Sequence, residues 1–180
     1  MQLALCELLH WCTTNDMRLN TGKTKEMTFT FGRLVNVDDC VPLSAESSVI
    51  ERVDEFKILG VIFSSDLAWT RHVKYIVAKA SKRLFALCQL VRCGFSYDVM
   101  VTVYCSLIRP VLEYASPVCH CGLTGVLSDE VEFVQKRCMR IIFPHLSYSD
   151  AIAVAGLERL SARRETAVIK LFNEIKHETH

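Results

Sequence analysis

Two groups of residues in this chain have the types and spacing for metal chemistry. Val37-Asp38-Asp39 places adjacent carboxylates after an apolar residue, an arrangement that holds paired magnesium ions where phosphoryl groups are transferred. Aspartate pairs also fold tight turns by bonding their own backbone, and the surrounding residues 34–43 read as a hairpin, so the turn is the stronger reading. Cys119-His120-Cys121 offers soft ligands that zinc would accept together with Cys138. Structural zinc prefers paired C-x-x-C knuckles, and the chain has none, which favours reduced, buried thiols packed as small hydrophobes.

A third pattern concerns charge. Between Leu67 and Tyr97 no Asp or Glu occurs, whereas Arg71, Lys74, Lys79, Lys82, Arg83 and Arg92 all fall there. On a helical wheel these cations lie mainly opposite an apolar stripe, so they form a positive face able to track phosphates. Tyr75, Ser81 and Gln89 add hydrogen-bonding or stacking groups. An ordinary solvated helix interleaves both signs, and this one does not. A second acid-free stretch, residues 133–149, carries Lys136, Arg137 and Arg140.

The elements that position these groups follow from periodicity. Residues 3–11 have helical apolar spacing and stop at Thr13-Thr14-Asn15. Residues 27–31 alternate apolar with polar, predicting a half-buried strand closed by Gly32. Residues 41–43 and 49–53 read as short strands around a serine-rich turn, and residues 56–63 as a fully buried strand interrupted by Gly60. Beyond that the chain is helical. Residues 70–91 carry Val73, Ile76, Val77, Ala80, Leu84, Leu87, Cys88 and Val91 on one stripe, ended by Gly94. A helix over 98–115 must be kinked or divided at Pro110. Ser128 is expected to cap a third helix with the stripe Val131, Val134, Cys138, Ile141 and Ile142, ending before Pro144. Short and long helices follow at 149–155 and 161–177. The fold class is therefore α+β, with a short N-terminal helix and a small antiparallel β region followed by a helical bundle. The expected domains are 1–68 and 69–180.

Bulk properties bound the function. The chain has 180 residues, 51% hydrophobic and 23% charged, a globular composition. Its net charge of +1 confines any polyanion binding to local clusters. Nine cysteines, an odd number without repeated spacing, point to a reducing compartment. No signal-peptide pattern is evident at the N-terminus, and no apolar run approaches the roughly 20 residues of a membrane span. The expectation is an intracellular protein, cytoplasmic or nuclear.

Trp11, Asn15, Met17, Leu19-Asn20, Lys23-Thr24-Lys25, Met27 and Phe29 resemble motif D of non-LTR retrotransposon reverse transcriptases. Val53, Phe56-Lys57-Ile58-Leu59-Gly60-Val61, Leu67, Trp69 and His72-Val73 resemble motif E, the primer grip. Lys79-Ala80-Ser81-Lys82-Arg83-Leu84, Tyr104, the run Ile108-Arg109-Pro110-Val111-Leu112-Glu113-Tyr114-Ala115, and Pro117-Val118 are similar to the thumb of jockey-like and CR1-like elements. Val134-Gln135-Lys136-Arg137, Arg140-Ile141-Ile142, Gly156-Leu157 and Arg163-Arg164-Glu165 continue the likeness. Ile58 stands where an aromatic residue is frequent, and Cys119 where tryptophan is usual; both replacements remain apolar.

The resemblance implies residues 1–68 as the end of the polymerase palm and 69–180 as the thumb. It implies Lys23 or Lys25 near the incoming nucleotide's phosphates, although a solvent-exposed lysine after a turn is the stronger reading in this chain. Phe56, Leu59, Gly60 and Val61 would hold the primer end, and Arg71, Lys74, Lys79, Lys82 and Arg83 the duplex backbone. The partner would be an RNA/DNA template–primer duplex, bound weakly and without sequence preference, with no membrane or small-molecule substrate. In that family the catalytic aspartates precede motif D, so Asp38-Asp39 is out of order. Met1 would be an internal start, and the chain a catalytically incomplete remnant. Magnesium would serve the full-length polymerase, with no cofactor in this chain. Two alternatives stand beside this reading. One is a structural or protein-interaction helical module. The other is suggested by residues 56–72, which resemble a segment of some proteins labelled AlkB-type repair homologues. Those oxygenases need an H-x-D pair, and no His here is followed two positions later by Asp.

Overall fold

The computed structural model describes residues 1–29, 41–45 and 48–178. Asp38 and Asp39, with most of the 34–43 hairpin, lie outside the described residues, as do Thr30, Phe31 and Gly32. The molecule is α+β and mostly helical, with a helix and short strands preceding the helical region. The chain divides into two compact units, Met1–Ala68 and Trp69–His180.

The first unit begins with α1 (Gln2–Thr14). It ends where Asp16 turns left-handed at φ 53° and the Met17 N–H reaches back to Cys12 O at 2.8 Å. Asp tolerates that conformation because its short polar side chain bonds locally. Strand β1 (Lys25–Glu26) pairs in parallel with β4 (Glu51–Arg52), and β2 (Ser44–Ala45) pairs antiparallel with β3 (Ser48–Val49). The Gln2 amide docks α1 on β2 by donating to Ser44 O at 2.8 Å and accepting from Ser44 N at 3.1 Å. Glu26 ties three segments together, accepting from Leu43 N at 3.0 Å and from Arg52 Nη2 at 2.7 Å. Burial alone would raise its pKa, but those donors outweigh it and hold the carboxyl below its ordinary value.

Residues 41–43 are not a strand, and residues 49–53 are divided between β3 and β4. Two further strand expectations need correction. The alternation at residues 27–31 does not give a strand over its described part; pairing stops at Glu26, because the partner β4 ends at Arg52. Residues 56–63 are not one buried strand. They form a hairpin, β5 (Glu55–Ile58) and β6 (Val61–Ser64), with Ile58 opposite Val61. Leu59 and Gly60 at its tip have φ 48° and 91°. Positive φ at both central residues is the twist-matched two-residue turn, so Gly60 serves as a turn residue, not as a gap in a strand.

The second unit is built on α2 (Thr70–Arg92). His72, Val73, Ile76, Ala80, Leu84 and Leu87 form its buried stripe, packed chiefly against α6 (Gly125–Ile142). Helix α2 ends in a left-handed cap: Gly94 has φ 72°, its N–H bonds Val91 O at 3.1 Å, and the Phe95 N–H bonds Leu90 O at 3.1 Å. Next come α3 (Tyr97–Val103), a π turn (Tyr104–Ile108) and α4 (Arg109–Glu113). Pro110 divides the helix as its ring requires. The wider π turn precedes it, with the Arg109 N–H bonded to Tyr104 O.

Helix α5 (Ser116–Cys119) and a 3₁₀ turn (His120–Gly122) were not evident from periodicity, being too short to show a stripe. Gly122 is required by proximity: a Cβ there would sit 2.8 Å from Trp69 Cδ1. Helix α6 starts one turn before the expected cap, at Thr124, whose Oγ1 accepts from Leu127 N at 3.4 Å. Ser128 lies inside the helix instead, accepting from Arg164 Nη2 at 2.7 Å. Helices α7 (Tyr148–Val154) and α8 (Leu160–Glu178) complete the unit.

A buried polar network locks α8 in place. Tyr104 donates to Gln135 Oε1, and Gln135 Nε2 donates to Tyr148 Oη and Glu158 O, each at 2.9 Å. Tyr148 donates to Glu132, whose other oxygen accepts from Ser161 N at 3.3 Å in the first turn of α8. Arg163 Nε donates to Glu113 Oε1 at 2.5 Å, joining α8 to α4 and holding the guanidinium pKa above its ordinary value. Tyr104, Gln135, Tyr148 and Glu132 each have a partner in this chain of bonds, which rigidifies the unit. By contrast, Nε and Nη1 of the buried Arg164 have no hydrogen-bond partner among the described residues.

Candidate nucleic-acid interface

Helix α2 has 23 residues and is therefore about 35 Å long. It contains six cations and no acid. Arg71, Lys74, Ala78, Lys82 and Phe85 are exposed at successive three- and four-residue steps and form one stripe opposite the buried face. Phe85 is 67% exposed among these cations. The sequence reading missed it because it sits beside Leu84 in an apolar run. Its place on the wheel, outside the buried stripe, was the available signal.

Lys79 and Arg83 behave differently. Lys79 is exposed at the flank, with its ammonium 5.9 Å from the centre of the Tyr75 ring. Arg83 is half-buried and donates to Leu107 O, clamping α2 to the π turn. The structure therefore brings Arg71, Lys74 and Lys82 together, places Lys79 at their edge, and turns Arg83 inward.

In the first unit, Leu59 projects from the β5–β6 turn at 87% exposure, Phe56 is half-buried in β5, and Val61 is buried in β6. The hairpin thus presents an apolar tip at Leu59. Lys23 is exposed on a turn organised by Asn20, whose Oδ1 accepts from Lys23 N at 3.1 Å. Lys25 is paired with Glu51 across β1 and β4 and is not presented as a phosphate ligand in this arrangement.

Among the described residues no group of three or more His, Cys, Asp or Glu side chains could hold a metal ion. Cys119 and Cys138 are buried while Cys121 is exposed, and burial pushes the Cys138 thiol up to about 12. Among the described residues no helix is long and apolar enough to cross a membrane.

Over 110 residues, 60% of this chain, the sequence is 28% identical to the RNA-directed DNA polymerase from mobile element jockey of Drosophila funebris. The match spans 12% of that protein's length. The chain is thus distantly and partially similar to a non-LTR retrotransposon reverse transcriptase. No protein-family model and no solved structure matches it.

Proposed function

We propose that this chain is a segment of a non-LTR retrotransposon RNA-directed DNA polymerase that grips template and primer without carrying the catalytic aspartates. In this reading residues 1–68 are the end of the palm and residues 69–180 the thumb. The observation that carries the reading is the acid-free stripe of Arg71, Lys74 and Lys82 with Phe85 on α2, in a chain similar to such a polymerase. Those cations neutralise backbone phosphates of an RNA–DNA duplex, and no base edge is read, so binding is indifferent to sequence. The β5–β6 tip, with Leu59 and Gly60 flanked by Phe56 and Val61, abuts the primer end. Lys23 lies near the incoming phosphates, and Lys25 supports the palm through Glu51. Two-metal chemistry belongs to a magnesium site elsewhere in the complete polymerase, and the isolated polypeptide incorporates no nucleotides.

The test is a salt titration of duplex binding. Three neutralised phosphates predict affinity falling about 40-fold between ~50 and ~200 mM salt. Arg71→Gln/Lys74→Gln/Lys82→Gln should flatten that slope. Salt-independent binding, or magnesium-driven incorporation by the purified chain, would refute the proposal.

A protein-interaction module is a second reading with one observation in its favour. Ile169, Phe172 and Ile175 are all more than half exposed on the far part of α8. In that case the charge variants leave every partner of the chain unaffected.

A further inference from the structure

We propose that the exposed face of α6 is a second nucleic-acid site, one that takes unpaired nucleotides and stacks a base on Phe133. Phe133, Lys136, Arg137 and Arg140 are all exposed, at spacings of three, four and seven residues from the phenylalanine. At 3.6 residues per turn they fall within an arc of roughly 100° and a length of about 10 Å. Phe133 is 58% exposed, on a helix whose Val131, Val134 and Cys138 are fully buried. More than half of this apolar ring is held in water beside three cations, which core packing does not account for. Asp129 and Glu130 precede the ring and the cations follow it, a distribution that suits the helix dipole. The dipole explains the order of the charges but not the ring between them.

The local scaffold is rigid. Tyr148 is fixed through its hydroxyl by Glu132 and Gln135, and its ring lies 5.6 Å from the Lys136 ammonium. Glu132 is itself buried and bonded to Tyr148 and Ser161, so its carboxylate is turned away from the basic face. From Phe133 to Ser149 the sequence supplies no acid at all.

This chemistry selects the ligand. Bases inside a duplex are stacked on each other and cannot cover a protein ring, whereas unpaired bases can. A basic helix that lies in a membrane surface needs an apolar stripe to insert. This face offers one ring and, two turns before it, the single exposed aliphatic side chain of Val126, which is too little for an inserting stripe. A single strand, with phosphates on Lys136, Arg137 and Arg140 and one base on Phe133, satisfies both the charge and the ring.

The experiment uses the full chain with three probes: a short oligothymidylate, a blunt RNA–DNA duplex, and phosphatidylcholine–phosphatidylserine vesicles. Phe133→Ala should weaken oligothymidylate binding about tenfold and leave duplex binding unchanged. Phe133→Trp should restore binding, with quenching of the new indole fluorescence. Lys74→Gln/Lys82→Gln on α2 should show the opposite preference, losing duplex first. Unchanged oligothymidylate binding by Phe133→Ala overturns the inference, as does wild-type binding to vesicles but not to the oligonucleotide. The site on α2 is judged separately by the duplex arm, so either proposal can fail while the other stands. Because Phe133 is a surface residue, circular dichroism of Phe133→Ala should match the parent and exclude misfolding.

Discussion

The two units cover their apolar side chains to very different extents. Within residues 1–68, Leu3 and Trp11 are more than half exposed and Met17 nearly so, and among the described residues Ala45, Ile50 and Val61 are the most enclosed apolar side chains. Within residues 69–180, Val73, Ala80, Leu87, Tyr104, Ile108, Cys138 and Leu160 are completely enclosed, around a polar network whose members satisfy one another. The first unit is held by two- to four-residue strand pairings and by the Glu26 hub; the second is held by packing. Burial of apolar surface scales with the area removed from water, so the second unit carries most of the stability. Short ribbons without a covering layer are marginal in water.

The largest effect should come from enlarging that contrast. Leu87→Ala removes a fully enclosed side chain and should cost ~2–5 kcal/mol, while Leu3→Ala changes stability by less than about 0.5 kcal/mol. Thermal unfolding of the two variants measures this directly, and equal losses would erase the distinction between the units. A smaller effect should appear with acid. Glu26 has a lowered pKa in the folded state, so its contribution is present above the ordinary value of 4.5 and is lost as pH falls through the folded value. Amide exchange at Leu43, whose N–H bonds the Glu26 carboxylate, should accelerate on acidification beyond the intrinsic pH dependence while the Tyr104 amide stays protected. Glu26→Gln should abolish that acid response at a cost of ~1–2 kcal/mol. The smallest effect should be a gain. Leu59 occupies a left-handed conformation that costs a leucine about 1 kcal/mol, and Leu59→Asn should recover part of it. The same change removes the apolar tip, so a hairpin that acts as a primer grip should become more stable and grip less well. Primer-end protection assays, read beside the melt, separate these outcomes.

How much was legible in the sequence follows the same division. The long helices were readable because their apolar stripes persist over many turns: the expected range 70–91 became Thr70–Arg92, and 161–177 became Leu160–Glu178. Gly94 and Gly156 ended helices where expected, both with positive φ. Strands were harder. A period-two pattern such as residues 27–29 forms a strand only if a neighbouring backbone runs alongside, and β4 stops too early. At Leu59-Gly60 a nearly continuous apolar run concealed a turn, because leucine is not a residue that turn usually selects. On α2 the charge pattern was plain in the sequence, but the orientation of each side chain was not. Arg83 turns to Leu107 O, and Lys25 to Glu51, because partners distant in sequence attract them. Phe85 and Phe133 escaped notice since hydropathy alone assigns any phenylalanine to the interior.

The π turn at Tyr104–Ile108 decides where the second unit tolerates a change in residue count. One extra residue is absorbed in that wider turn, so the helical turns on either side keep the phase of an uninterrupted helix. A residue deleted from α3 finds no such slack and would rotate Arg109 and Glu113 by about 100° around the axis. Glu113 would then no longer meet Arg163, and α8 would be left with its bonds through Ser161 and Arg164. A single-codon deletion is therefore expected to be absorbed within the π turn and to be disruptive in the helical turns beside it.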